Sequence, residues 1–83
     1  MKTIFGPYLR TLRKQRSLRL NKAAYGLKID ATLLSKYEIG TRFPKADTLR
    51  RIAQFYGVSR NRLAKMIAKD KEHDHYQRLS SPK

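Results

Sequence analysis

Twenty lysines and arginines against six carboxylates leave this chain at +14, and cationic groups at that density do one kind of chemistry well. They neutralise polyanions: each phosphate met by Lys or Arg releases condensed counterions, which makes nucleic acid the abundant candidate partner, ahead of anionic membrane or acidic protein. Three of the six acids, Asp70, Glu72 and Asp74, lie near the C-terminal end, so residues 1–69 carry 17 bases and 3 acids. Catalytic constellations do not assemble. His73 and His75 flank Asp74 in an HxH pattern of metal-ligating residue types, but that segment has no amphipathic period to preorganise a site. Ser, Asp and Lys occur without a Gly-rich phosphate loop, a nucleophile elbow or a cluster of metal ligands. The chain therefore reads as a non-enzyme with no cofactor and no metal.

Composition narrows the class further. Eighty-three residues make one domain near the lower end of what folds without covalent help, so nearly every apolar residue is needed in the core. The absence of cysteine removes disulfides and thiolate sites together and suits a reducing cytoplasm or nucleoid. MKTIFGPYLR has no continuous apolar run, and no window approaches the ~20 apolar residues of a membrane span. An unprocessed chain without membrane contact is expected.

The elements that must position the charges are all helical. Gly6 as N-cap and Pro7 at the first helical position predict a helix from Pro7 to about Arg16, with Tyr8, Leu9 and Leu12 on its apolar face. A short helix follows from Leu20 to about Gly26, where Ala23 and Ala24 permit close approach. Asp30 is a good N-cap for a third helix, Ala31 to Glu38, which Gly40 ends. Pro44 marks a loop over residues 41–44. A fourth helix is expected over Ala46 to Tyr56, stopped by Gly57. Ser59 caps a fifth from Arg60 to about Lys71, with Leu63, Met66 and Ile67 on one stripe. The organisation is a compact all-α, five-helix domain over residues 1–71, with residues 72–83 a polar tail expected to fray.

The third helix sorts its side chains unusually. With Ala31 as zero, Leu33, Tyr37 and Leu34 fall at about 200°, 240° and 300°, while Ser35, Thr32 and Lys36 fall at about 40°, 100° and 140°. A helix facing only water usually carries long polar residues on its outer side. Small ones let the backbone sink close to base edges in a major groove.

The residues that carry these features, FGPYLRTLR, Ala24, LLSKYEIGTRFP and TLRRIAQFYGVS with Leu63, resemble the lambda-repressor-like (Cro/C1, XRE-type) helix-turn-helix regulators over about residues 5–67. The run LSKYExGxRxP is the most specific part. The resemblance implies double-stranded DNA as partner, with Ala31, Thr32, Ser35 and Lys36 facing bases and Arg19, Lys22, Thr41 and Arg42 holding phosphates. Lys36 would donate to guanine O6 and N7, Thr32 would offer a hydroxyl and a methyl, and Ala31 would make apolar contact only. Arg19 departs from the Ser or Thr cap usual at that position, and Leu20 from a frequent Gln. The resemblance also implies that Arg13 and Glu38 pair as a structural ion pair.

One reading helix covers few base pairs, so a homodimer on two half-sites is expected, and Leu63, Met66 and Ile67 either offer a dimer surface or only close the core of the single domain. The implied function is a small, sequence-specific transcriptional regulator, repressor-like, in the cytoplasm with the nucleoid. Two alternatives stay open: a sequence-indifferent nucleic-acid binder, and an antitoxin or adaptor that uses the same fold to hold a protein.

Overall fold

A computed structural model describes the backbone of residues 3–80 and the side chains of residues 3–72. Five helices follow one another: α1 (Phe5–Gln15), α2 (Leu20–Leu27), α3 (Ala31–Ile39), α4 (Ala46–Tyr56) and α5 (Arg60–Ser80). α3 packs against α1 and α2, α4 against α2 and α5, and α5 returns to α1. Phe5, Leu9, Leu27, Leu34, Ile52, Tyr56 and Leu63 form the most deeply buried part of a single core shared by all five helices.

α1 begins two residues before the expected start, at Phe5 with Ile4 as N-cap. The cause is distant in sequence. Asp70, on α5 and only 6 % exposed, accepts the amide of Ile4 at Oδ1 (2.9 Å) and those of Phe5 (2.9 Å) and Ile4 (3.2 Å) at Oδ2. The carboxylate does what a local N-cap side chain would do, in a favourable place for a negative charge. Pro7 then sits within the first turn, where its missing N–H costs nothing. Gly6 is not a cap. A Cβ there would lie 2.4 Å from the Glu38 carbonyl oxygen and 2.9 Å from that of Tyr37, so glycine is what lets α1 press on the end of α3.

α2 runs one residue past Gly26 and is closed by Lys28 in the left-handed region, φ 61°. The Ile29 amide donates to the Ala24 carbonyl at 3.0 Å, and Arg51 Nη1 reaches the Leu27 carbonyl at 3.1 Å. These bonds satisfy carbonyls that every helix end leaves open. Gly26 lies inside the helix, where a Cβ would come within 2.5 Å of Phe55 Cε1.

Asp30 accepts from the Thr32 amide at 2.9 Å to start α3, and Gly40, φ 100°, ends it. Gly57, φ 68°, ends α4. The Arg62 amide donates to Ser59 Oγ at 3.2 Å to open α5, which continues past the expected end near Lys71 to Ser80. His73, Asp74 and His75, the candidate metal contacts, lie outside the residues whose side chains are described. Leu63 is fully buried, Ile67 is 7 % exposed and Met66 is half-buried against the core. Leu63 and Ile67 therefore pack into the core of their own domain. Among the described residues no helix is long and apolar enough to cross a membrane.

Candidate nucleic-acid interface

The tight link between α2 and α3 sets one end of α3 and the α3–α4 loop sets the other. Leu34 and Tyr37 anchor α3 in the core, with Leu33 half-buried beside them. Thr32 and Lys36, one turn apart, stand exposed. Ala31 and Ser35 are half-buried on the same side. The outward edge is thus narrower than the wheel implies: two fully presented polar side chains flanked by two small, partly covered ones.

At its C-terminal end α3 holds the following loop by one carbonyl. The amides of Gly40, Thr41 and Arg42 all point at the Lys36 oxygen, at 2.9, 3.0 and 3.4 Å, and Thr41 Oγ1 approaches the same oxygen at 3.4 Å. Thr41 and Arg42 are exposed there, on backbone that these bonds hold against the end of α3. Arg19, the extended N-cap residue of α2, makes no side-chain cap bond. Its side chain and that of Lys22, just after it on α2, are exposed, and among the described residues neither joins a salt bridge.

Arg13 and Glu38 meet across α1 and α3 in a two-point pair, Nε to Oε2 at 2.8 Å and Nη2 to Oε1 at 3.0 Å. The remaining nitrogen, Nη1, donates to the Leu18 carbonyl at 2.9 Å. The hydrogen bonds to Glu38, against the opposing effect of burial, raise the Arg13 pKa above the usual guanidinium value. Both side chains are nearly covered, 11 % and 6 % exposed, so the pair stiffens the base of α3 and is not available to a ligand. Next to it, burial and then the Glu38 charge push the Tyr56 phenol up to about 12, and its hydroxyl has no hydrogen-bond partner. Arg16 lies over the same ring, 5.2 Å from its centroid, and donates to the Tyr56 carbonyl.

The acids of the domain are few, and each has a partner within it. Asp30 caps α3, Glu38 is taken by Arg13, Asp47 pairs with Arg50 at 2.6 Å, and Asp70 caps α1. Every carboxylate in the first 70 residues is thus engaged within the domain. Arg19, Lys22, Lys28, Lys36, Arg42 and Lys45 are all exposed around α2, α3 and the following loop, and they outnumber the one exposed acid of that stretch, Asp30.

Three contributions were not legible from pattern alone. Asp70 reads only as one of three acids near the C-terminal end, 66 residues from its partner Ile4. Arg51 falls on the polar side of the α4 pattern, with no sign that it reaches the Leu27 carbonyl. Lys71, whose Nζ lies 5.5 Å from the centre of the Phe43 ring, gives no signal in a single sequence.

A short helix, a tight turn and a second helix with a small polar edge, held by three supporting helices, define a helix-turn-helix domain. Residues 4–66 match the family described as helix-turn-helix domain, and the chain belongs to it, as a compact all-α, five-helix domain. It is similar to the cryptic phage CTXphi transcriptional repressor RstR of Vibrio cholerae, 36 % identical over 55 residues, which cover 66 % of this chain and 50 % of that protein. The chain spans about half the length of that repressor.

Proposed function

We propose that this domain is a sequence-specific double-stranded DNA binder, acting as a small repressor-like transcriptional regulator with α3 in the major groove. The observation that carries the reading is the exposed edge of Thr32 and Lys36, one turn apart on α3, beside a loop whose Thr41 and Arg42 amides close on the Lys36 carbonyl. Thr32 and Lys36 lead the base contacts, with Ala31 and Ser35 lining the approach. Arg19, Lys22, Thr41 and Arg42 meet the two phosphate strands that border the groove. The similarity to a phage repressor supports the regulatory half of the proposal, and the protein would work on the nucleoid in the cytoplasm.

A single α3 reads few base pairs, so the working form is a homodimer on half-sites about one helical turn, ~34 Å, apart. Its pairing surface lies outside the buried Leu63 and Ile67. Sedimentation of the protein on an operator-length duplex tests this, two copies per duplex being expected and one copy refuting it.

Sequence specificity is tested by enriching a random duplex library with the purified protein, followed by competition between the enriched site and random duplex. A preference of about 10³ or more at physiological salt is expected. A preference below about tenfold with a steep salt slope would instead establish the sequence-indifferent binder, a reading favoured by cationic side chains on every helix. No duplex binding even at low salt would point to the protein-holding alternative.

A further inference from the structure

Residues 70 and 71 lie beyond the segment that matches the family, which ends at residue 66, yet they reach both strands of chain that flank the end of α3. Asp70 holds the start of α1 through the Ile4 and Phe5 amides. Lys71 lies over the Phe43 ring, which packs at 6.4 Å against the Phe5 ring. The two contacts converge, because Phe5 follows Ile4 and Phe43 follows the loop residues Thr41 and Arg42.

From there the contact passes to α3. Gly6 brings α1 against the Tyr37 and Glu38 carbonyls, and Thr3 packs beside Gly40, so that a Cβ at Gly40 would stand 3.1 Å from Thr3 Oγ1. A buried carboxylate is tolerated only where its acceptor oxygens are used. Asp70 uses both on amides of one helix start, so α5 can sit against α1 in one register only.

We propose that Asp70 and Lys71 are positioning residues for DNA reading: together they lock the start of α1 and the 41–43 loop in place, and through them the C-terminal end of α3. The proposal rests on the reading of α3 as the DNA-reading helix. A helix that reads base edges must be held to roughly half an ångström, and no residue of α3 or its loop supplies the Asp70 contact. On this view α5 sets recognition without touching the duplex.

The test compares Asp70→Ala, Asp70→Asn, Lys71→Ala and the control Lys69→Ala, which removes the same charge from an exposed position of the same helix. Each is measured at a temperature where urea titration shows it folded. The readouts are affinity for the library-enriched duplex, affinity for random duplex, and hydrogen exchange of the Gly40, Thr41 and Arg42 amides. Asp70→Ala is expected to lose about tenfold or more on the enriched duplex while staying within about twofold on random duplex, with those three amides exchanging about tenfold faster. Asp70→Asn, which keeps one acceptor oxygen, falls between. Lys71→Ala loses about threefold more preference than Lys69→Ala.

A folded Asp70→Ala that is easier to unfold but keeps full preference and unchanged exchange at residues 40–42 would reduce Asp70 to a simple helix cap and overturn the proposal. Should Asp70→Ala not fold, Lys71→Ala and Lys69→Ala decide, and equal losses from the two overturn it. Should the wild type prefer no duplex at all, the reading of α3 fails separately. The exchange comparison then decides the brace alone, faster exchange supporting it and unchanged exchange overturning it.

Discussion

Removing Glu38 is the sharpest test of how this domain is held together. The Arg13 guanidinium donates twice to that carboxylate, at 2.8 and 3.0 Å, and once to the Leu18 carbonyl. In Glu38→Ala, two of its donors lose their acceptor while the group stays largely out of water. Breaking a buried pair from one side costs about 3 to 5 kcal/mol. We expect about 3 kcal/mol, the lower end, because the Leu18 carbonyl remains and the Arg13 side chain keeps 11 % exposure. A domain of this length has about 4 to 12 kcal/mol in total, so the loss takes a quarter or more of it and lowers Tm by about 12 to 24 °C. The assay is urea unfolding of Glu38→Ala, Arg13→Met, Glu38→Leu and the Arg13→Met/Glu38→Leu double variant. The double variant, with no stranded charge, should be less damaged than Glu38→Ala, with a coupling energy of at least about 2 kcal/mol in the Arg13→Met/Glu38→Leu cycle. A loss below about 1 kcal/mol in Glu38→Ala, or one that vanishes in high salt, would show an ordinary solvent-screened surface pair and refute the reasoning.

Three further outcomes are expected. Gly6→Ala puts a methyl 2.4 Å from a backbone oxygen of α3 and should cost about 1 to 3 kcal/mol in urea titration, whereas Gly26→Ala meets only the movable Phe55 ring and gains helix propensity, for a net change within about 0.5 kcal/mol. The reverse ranking would contradict the packing. Tyr56 has its folded pKa raised to about 12 from 10, so its contribution is intact below pH 10 and is lost as pH climbs through the folded value. Tyr56→Phe should equal or exceed the wild type near neutrality, having no unpaired hydroxyl, and at pH 11.5 should lose about 2 kcal/mol less. Coincident alkaline transitions would refute it. On DNA, Lys36→Ala should relax preference at one base step by about 1 to 3 kcal/mol, while Arg42→Ala should weaken enriched and random duplex alike and lower the salt slope by about one. Indistinguishable effects of the two would contradict the division of labour.

What the sequence reveals and conceals here follows the range of the interaction. α3 is bounded by a carboxylate at Asp30 and a glycine at Gly40 that act on their own neighbours, so its limits are readable to within a residue. The Ser59 cap of α5 is of the same kind. The start of α1 is misread for the opposite reason: Gly6-Pro7 has the local signature of a helix entry, but the glycine serves contact with α3 and the cap comes from Asp70. Gly26 likewise imitates a helix stop while Lys28 is the one that takes the left-handed turn. On the exposed edge of α3, angular position alone separates Thr32 and Lys36 from the core, but how far Ala31 and Ser35 are covered depends on neighbouring elements. The stripe of Leu63, Met66 and Ile67 shows the same limit: periodicity finds an apolar face and does not say what lies against it.

The Phe55 ring resting on Gly26 ties two positions 29 apart into one steric compartment. Descendants of this gene are not free to vary them independently: any branched residue at 26 demands a smaller neighbour at 55, and glycine at 26 leaves a ledge that an aromatic ring at 55 fills. The two sites should therefore drift as a correlated pair, a signature to seek once many related chains are compared.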